Sequence, residues 1–427
     1  MNVKTKLLYF FKGSLISKAI GLLTFFFLAK VVSLETFGIY TIYLFINEML
    51  LISLTYGFNS YILRNSSKEV RLKLFPKALF IIIVTFIIFT VSILLSKSLF
   101  LEYLPSSYLV IFNSFMVVIT ITFLQSIIKM ISGYFISNHM AKDHMKITIL
   151  HSVAKLCMVL LLFYVLNISE LNLILYSLLI SSVIAFIFGL FLIKSFINIK
   201  YISFKESMVL IYDASPFMLK IIIGTFGLYL SRLILDSMAT KEELAVYSFY
   251  LMIIFQLSFF TNIISQSIIP SIRDNFNKLD VLQNNLDKYL KKYYILASIV
   301  LLLTVIISYF ISNKNLEILE LFVKEEYLEH IWLFTILMIS FFIGSLTVVF
   351  DVWQYHELMN VKLKLFTISI SSVIAGVIVY PIGYTIGNIY GVAIGYVIIT
   401  SSFTYVSLYF FRNLIRMIES EKHIHNS

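Results

Sequence analysis

The sequence predicts an all-α membrane protein of about twelve transmembrane helices in two six-helix lobes. Composition is the first reason: 60% of the 427 residues are hydrophobic and 13% are charged, against about 45–50% and 25% in soluble domains. The second reason is the length of the apolar runs, because about 20 mainly apolar residues cross the hydrocarbon core as a helix. The runs lack the alternation of a β-barrel strand, so helical spans are predicted.

The apolar runs between charged clusters place six spans in each half of the chain. In the first half we expect spans at 13–33, 38–61, 78–96, 107–128, 147–166 and 171–193. In the second half we expect spans at 211–235, 244–269, 293–312, 330–350, 365–385 and 389–411.

The distribution of basic residues tests this number of spans. With twelve spans, 22 lysines and arginines fall in loops and tails on one side of the membrane and five fall on the other. Cytoplasmic loops carry the excess of basic residues in membrane proteins. A missed or added span would scramble this asymmetry, so we predict a multi-pass protein with both termini in the cytoplasm.

The two halves carry a related motif. The segment from Glu35 through Tyr40 and Tyr43 matches the segment from Glu242 through Tyr247 and Tyr250 at a constant offset of 207 residues. Each segment opens the second span of its half. Parallel repeats of this kind occur in many transporters, with the substrate site at their interface. We therefore divide the chain into an N-terminal lobe, 1–207, and a C-terminal lobe, 208–427.

Several function classes are disfavoured by the motifs. The sequence has no phosphate-binding loop of the ATPase type and no paired-histidine zinc motif. Cys157 is its one cysteine, which leaves no disulfide and no thiolate cluster. The basic residues are scattered through short loops, which argues against nucleic acid as a partner. We expect a transporter that is not an enzyme and that holds no cofactor and no metal.

Ionisable residues inside spans are costly and are therefore functional candidates. Lys18, Lys155 and Lys220 lie at comparable depth from the same side, on the first, fifth and seventh spans, and Arg232 lies near the outer end of the seventh. Together they predict a cationic substrate-binding cavity that attracts an anion such as a phosphate. Lys129 is placed instead at a cytoplasmic helix end, where its side chain can reach the interface.

Two acidic residues are candidates for coupling transport to an ion gradient. Glu48 lies near mid-membrane in the second span, and Asp213 lies near the cytoplasmic end of the seventh. Glu48 is equally explained as a structural ion pair with Lys18. In the functional interpretation, these carboxylates bind H+ or Na+ during transport.

The chain resembles Wzx-type O-antigen and polysaccharide flippases of the multidrug/oligosaccharidyl-lipid/polysaccharide (MOP) exporter superfamily. The residues that carry the resemblance are Lys18-Ala-Ile-Gly through Phe37-Gly-Ile-Tyr40, and Leu228-Tyr-Leu-Ser-Arg232 followed by Ala245-Val-Tyr247. The resemblance implies two lobes around a central cavity that opens alternately to each side. Its implied cargo is an oligosaccharide linked to undecaprenyl diphosphate, moved across the bacterial inner membrane for polysaccharide or lipopolysaccharide synthesis.

The resemblance also implies a basic cavity lining, for which Lys18, Lys220 and Arg232 are the matching positions. Many relatives have an acidic residue directly before the span-seven arginine, where this chain has Ser231. That departure weakens ion coupling at this point and favours Glu48. The implied partners are the lipid-linked glycan, the bilayer and the polysaccharide polymerase machinery.

Three alternatives remain from the sequence. A drug:cation antiporter of the same superfamily would need an acidic cavity. A membrane polysaccharide polymerase would need a large outer loop with polar catalytic groups. A major-facilitator transporter would show a Gly-x-x-x-Asp-Arg pattern after its second span, where this chain reads Leu63-Arg-Asn-Ser-Ser-Lys68.

Overall fold

A computed structural model shows that the chain folds into α-helices. It describes residues 3–64, 68–103, 113–138, 140–166, 168, 170–194, 201–257, 295, 298–312, 323–350 and 361–426. No strand occurs among these residues. The chain divides into two compact units, Met1–Tyr229 and Leu230–Ser427. The dividing point lies within one long helix, while the predicted lobe boundary at 207/208 stays a prediction.

Among the described residues, eight helices begin in the first unit and five lie in the second. In the first they are α1 (Val3–Val31), α2 (Leu34–Thr55), α3 (Phe58–Arg64), α4 (Lys68–Tyr103), α5 (Phe115–Ser137), α6 (Ala141–Tyr164), α7 (Glu170–Ile193) and α8 (Phe204–Met238). The described helices of the second are α9 (Lys241–Leu257), α10 (Ser298–Ser312), α11 (Glu325–Leu328), α12 (Trp332–Phe350) and α13 (Val361–Asn426).

Seven helical stretches in the described residues are long and apolar enough to cross a membrane, and two shorter apolar helices accompany them. On α4 the outward-facing residues are large and apolar, among them Ile87, Ile88 and Leu95, which is 80% exposed. Such a surface is stable only against lipid or another apolar partner. The predicted class, an all-α protein with many transmembrane helices, is confirmed. Residues 258–269 of the eighth predicted span lie outside the described residues.

Helix directions in the first unit agree with alternating membrane passes. The first and fifth spans, α1 and α6, run parallel, because Ser17 meets Ser152 and, further along both helices, Phe27 meets Phe163. Consecutive spans α4 and α5 run antiparallel, with Phe75 on Tyr134 and Phe86 on Phe123. The second and seventh, α2 and α8, are antiparallel as well, with Phe45 on Phe226 and, through α3, Tyr61 on Asp213.

The second predicted span, 38–61, is broken in the structure. Helix α2 ends at Thr55, and the next two residues, Tyr56 and Gly57, have φ values of 48° and 68° before α3 begins at Phe58. A Cβ on Gly57 would lie 2.7 Å from the backbone nitrogen of Met218 in α8. Glycine therefore permits both the left-handed conformation and the close approach of two backbones.

The fourth predicted span, 107–128, is misplaced along the chain. The helix is Phe115–Ser137, so Lys129 lies in its interior and the expectation that Lys129 ends the helix is wrong. The error has a physical cause. An interior lysine is tolerated where a carboxylate pairs with it, and here the partner comes from another helix, α2.

In the second unit, α13 is a hairpin of two helices. Its regular conformation is interrupted at Gly387 and Asn388, where Asn388 has φ 50°. The two arms then return along each other so closely that a Cβ on Gly391 would overlap the carbonyl oxygen of Gly383. This turn separates the predicted spans 365–385 and 389–411.

The repeated motif occupies matching places in both units. Glu35 lies in the first turn of α2 and Glu242 in the first turn of α9. The paired tyrosines that follow are buried in each unit: Tyr40, Tyr43, Tyr247 and Tyr250. The two second spans therefore begin with the same packing arrangement, as the repeat predicts.

Candidate functional site

An ion pair lies at the centre of the candidate site in the first unit. Lys129 Nζ of α5 lies 3.7 Å from Glu48 Oε2 of α2, with the two side chains 44% and 41% exposed. Both residues are fourteen positions from the beginning of their helices, or about 21 Å at 1.5 Å per residue. The charges are therefore matched in depth and far from the helix ends.

Two predicted lysines join this pair. Lys18 of α1 interacts electrostatically with both Lys155 of α6 and Glu48 of α2. Lys18 and Lys155 are half-buried. The structure thus brings together three of the six predicted site residues, and it does so because α1 and α6 are parallel neighbours.

Hydrogen bonds between helices hold this region in place. Thr122 donates to Asn47 Oδ1 at 2.8 Å, and Asn47 Nδ2 donates to Gln125 Oε1 at 3.0 Å. The Ser17 and Ser152 hydroxyls are 2.6 Å apart. Each bond involves at least one residue within about one turn of a charged residue of the site, so the charged side chains extend from a fixed frame.

The ion pair is partly exposed inside two membrane-spanning helices. A charged side chain facing lipid at a helix centre costs about 2.5–3.5 kcal/mol. Lys129 and Glu48 avoid that cost if their exposed sides face water. Three lysines and one glutamate carry a formal charge of +2 when all are ionised. The site can therefore bind an anion, and the Glu48 carboxylate competes with that anion for Lys129.

Two histidines of α6 border the cluster. His151 precedes Lys155 by one helical turn and interacts electrostatically with it. His144 lies two turns earlier, is buried, and places Nδ1 2.5 Å from the Ser132 hydroxyl.

The remaining predicted residues have different surroundings. Tyr61 donates a hydrogen bond to Asp213 Oδ2 at 3.3 Å, which links α3 to α8. Lys220 lies on α8, but its side chain falls outside the described part of the chain. Neither observation joins Asp213 or Lys220 to the cluster around Glu48.

Arg232 belongs to the second unit and is 3% exposed. Its guanidinium carbon lies 5.2 Å from the centroid of the Phe255 ring, a distance at which a cation and an aromatic face attract. Ser231 and Tyr247, both buried, are its neighbours. In this structure Arg232 packs within its own unit, and a role in binding stays a prediction.

Two residues of this region, Lys129 and His151, are not predicted as site residues from the sequence. Lys129 was assigned to a helix end because hydropathy falls there. Its spacing from Glu48 offers no sequence signal, since the partners lie on separate helices. The signal for His151 is present in the pattern His144, His151 and Lys155 along one α6 face, at intervals of seven and four residues.

The fold and the charged, membrane-embedded site define a multi-spanning membrane transporter. Solved structures with the same fold are transporters of the MOP superfamily. A mutant of the Vibrio cholerae MATE transporter VcmN is similar at a TM-score of 0.69 and 13% identity, with 97% of this chain and 98% of that chain covered. An outward-facing multidrug resistance MATE family transporter is similar at 0.69 and 15%, covering 98% and 97%.

A third similar structure is a MOP superfamily transporter from Pyrococcus furiosus, whose reverse-polarity binding pocket suggests a different function. The TM-score is 0.69 at 14% identity, with 98% of this chain and 97% of that chain covered. These likenesses establish the fold, the two-lobe, twelve-helix architecture of the superfamily. No functionally curated protein sequence matches the chain significantly.

The family follows from the sequence itself. The family model described as "Polysaccharide biosynthesis protein" matches residues 3–276. The chain belongs to this polysaccharide biosynthesis family, and it is a flippase-like membrane transporter of the MOP superfamily. The resemblance stated from the two motifs is confirmed.

Proposed function

We propose that the chain is a flippase that moves undecaprenyl-diphosphate-linked oligosaccharide repeat units across the bacterial inner membrane. The units would serve the synthesis of O-antigen or a related surface polysaccharide. The polysaccharide biosynthesis family supports this cargo class. In an alternating-access cycle the prenyl tail stays in the bilayer while the diphosphate and the glycan cross.

The observation that carries the proposal is the basic cluster of Lys18, Lys155 and the Lys129–Glu48 pair. A diphosphate esterified at both ends has two ionisable oxygens and carries two negative charges at neutral pH. The formal +2 of the cluster matches that charge. Lys18 and Lys155 would bind the phosphates directly, and Lys129 would exchange its Glu48 partner for a phosphate oxygen.

The orientation proposed for the protein follows from its loops. The 22-to-5 distribution of basic residues favours both termini in the cytoplasm. The parallel pairing of α1 with α6 supports the same alternation. The basic cluster would then be reached from the cytoplasm, where the lipid-linked unit is assembled.

Ion coupling is proposed at Glu48. When an anion occupies Lys129, Glu48 loses its counter-charge and can bind H+ or Na+ instead. Asp213 is a second candidate for the same role, with Tyr61 as its hydrogen-bond donor. The cycle proposed here uses no ATP hydrolysis.

A drug:cation antiporter is the second candidate function, favoured by the fold shared with the multidrug resistance MATE transporter. Such an exporter of cations needs negative charge at its binding site. The cluster described here has more lysines than carboxylates, which favours an anionic cargo. A membrane polysaccharide polymerase is the third candidate, and the transporter family disfavours it.

The experiment that tests the proposal measures the sidedness of lipid-linked glycans in a strain that lacks the gene. We expect single repeat units on the cytoplasmic leaflet, loss of surface polysaccharide, and recovery of both when the gene is restored. Unpolymerised units on the outer leaflet would instead indicate a polymerase. Normal surface polysaccharide would favour the antiporter.

A further inference from the structure

His151, which is half-buried, differs from the buried His144 of the same helix in its hydrogen bonding. His144 has the Ser132 hydroxyl at its Nδ1. The Nε2 atom of His151 is buried, and no described residue offers it a hydrogen-bond partner. A buried polar atom without a partner costs about 1–3 kcal/mol. Native proteins keep such atoms rarely, often where a functional state supplies what is missing.

The charged groups around His151 come from several helices. On its own helix, Lys155 lies one turn away and acts on it electrostatically. From α1, Lys18 acts on Lys155, and the pair of Lys129 on α5 and Glu48 on α2 completes the set. Among the described residues, α7 carries one charged group in its helix, Glu170, at its first position and bonded to Ser33.

While the cluster is empty, a proton on the imidazole would add a positive charge one helical turn from the positive charge of Lys155, and the two charges would repel each other. An anion bound between Lys18 and Lys155 reverses the sign of the local field. The imidazole can then take a proton from water and become an imidazolium without repulsion from an uncompensated lysine.

We propose that His151 takes up a proton when a diphosphate binds at Lys18 and Lys155, so that anion binding and protonation are linked. The inference rests on the proposed function of the cluster. It assigns His151 as a positioning residue that balances charge and need not touch the ligand. The proton comes from the solvent on the side where the anion enters, and it returns to solvent when the anion leaves.

The linkage changes the charge that crosses the membrane. A diphosphate diester moved alone carries two negative charges outward, and with one proton it carries one. A unit charge moved through the membrane potential is worth about 2.3 kcal/mol per 100 mV. Because the cell interior is negative, the potential drives anions outward, and proton uptake at His151 would therefore halve this electrical driving force in each cycle.

The test measures protons taken up when a soluble diphosphate diester, geranyl diphosphate linked to one sugar, binds the purified full-length protein in nanodiscs. Calorimetric titrations at pH 7 in buffers of different ionisation enthalpy give the number of protons per ligand. His151→Gln removes the titrating group and keeps a polar side chain. His144→Gln on the same helix is the matched control.

We expect the wild-type protein and His144→Gln to take up protons on binding, and His151→Gln to take up fewer, by up to one per ligand. The dissociation constant should depend less on pH in His151→Gln, by up to tenfold per pH unit, the limit for one linked proton. The ligand's own ionisation is common to all three proteins and cancels.

Equal proton uptake in His151→Gln and wild type would overturn the inference and leave the proposed function standing. If His151→Gln does not fold, the wild-type protein still decides, since binding without proton uptake at any pH from 5.5 to 8 contradicts the linkage. Absence of any binding by the wild type would contradict the cationic site itself, and the inference with it.

Discussion

Neutralising either partner of the Glu48–Lys129 pair should change anion affinity in opposite directions. Glu48→Gln removes the carboxylate that competes for Lys129 and raises the formal charge of the cluster from +2 to +3. Lys129→Gln lowers it from +2 to +1. A unit charge about 8 Å from a doubly charged anion is worth about 1 kcal/mol in a water-like dielectric. This energy corresponds to about a fivefold change in the dissociation constant.

The water-like dielectric is justified by exposure, since both side chains of the pair are more than two-fifths exposed. For the same reason, loss of the pair itself should cost only about 1 kcal/mol of stability. We therefore expect Glu48→Gln to bind the doubly charged diester, geranyl diphosphate linked to one sugar, about fivefold more tightly, Lys129→Gln about fivefold more weakly, and the double variant about as well as wild type.

The assay is equilibrium titration of the protein in nanodiscs at two salt concentrations. Salt should reduce the differences between the variants, because screening weakens exposed charges most. Weaker binding by Glu48→Gln, with unchanged thermal stability, would refute the reasoning. It would mean that the carboxylate supports the bound state and does not compete with the ligand.

Two further predictions concern the lysines and the hairpin. Lys18→Ala and Lys220→Ala should each reduce surface polysaccharide without lowering protein abundance, and full activity of both variants would contradict the cationic site. Lys142→Ala, at an exposed position of α6, should leave surface polysaccharide unchanged. Gly391→Ala should destabilise the protein by about 1–3 kcal/mol in thermal unfolding, because its Cβ meets the Gly383 backbone. Gly224→Ala should not destabilise the protein, because the space around Gly224 is open. Equal thermal stabilities of the Gly391→Ala and Gly224→Ala variants would refute the close packing.

Much of the fold is predictable because a bilayer restricts the solutions. Apolar length and the distribution of basic residues predicted the spans, and most of the described helices lie at the predicted places. The turn at Gly387 and Asn388 falls between two predicted spans because a glycine and an asparagine interrupt the hydropathy there. The break at Tyr56 and Gly57 was missed, since hydropathy does not register a left-handed residue.

The site was predictable in part. Depth along a helix can be counted in sequence, so Lys18 and Lys155 were placed at the same level, and the parallel packing of α1 and α6 makes them neighbours. The partner that a charged residue finds on another helix cannot be obtained by counting residues. Lys129 pairs with Glu48, 81 residues away in the sequence. This partner allows a lysine inside α5. Because the partner is not visible in the sequence, the fourth span was predicted too early in the chain.

The partner of Glu48 in the structure differs from the one predicted. The ion pair proposed from sequence was Glu48 with Lys18. In the structure Lys18 lies within electrostatic range of Glu48, while Lys129 is the lysine at ion-pair distance. A single interpretation of Glu48, structural or functional, is therefore too narrow, because one carboxylate faces several cations and its partner can change when an anion binds.

The most direct test of the central claim is translocation by the purified protein. Proteoliposomes would contain a fluorescent oligosaccharide on a prenyl diphosphate in both leaflets, and a membrane-impermeant quencher added outside would report the accessible fraction over time. The proposed function predicts that inner-leaflet cargo becomes accessible with the wild-type protein and far more slowly with Lys18→Ala. Cargo that stays protected with folded wild-type protein, under imposed H+ and Na+ gradients of either direction, would contradict the account.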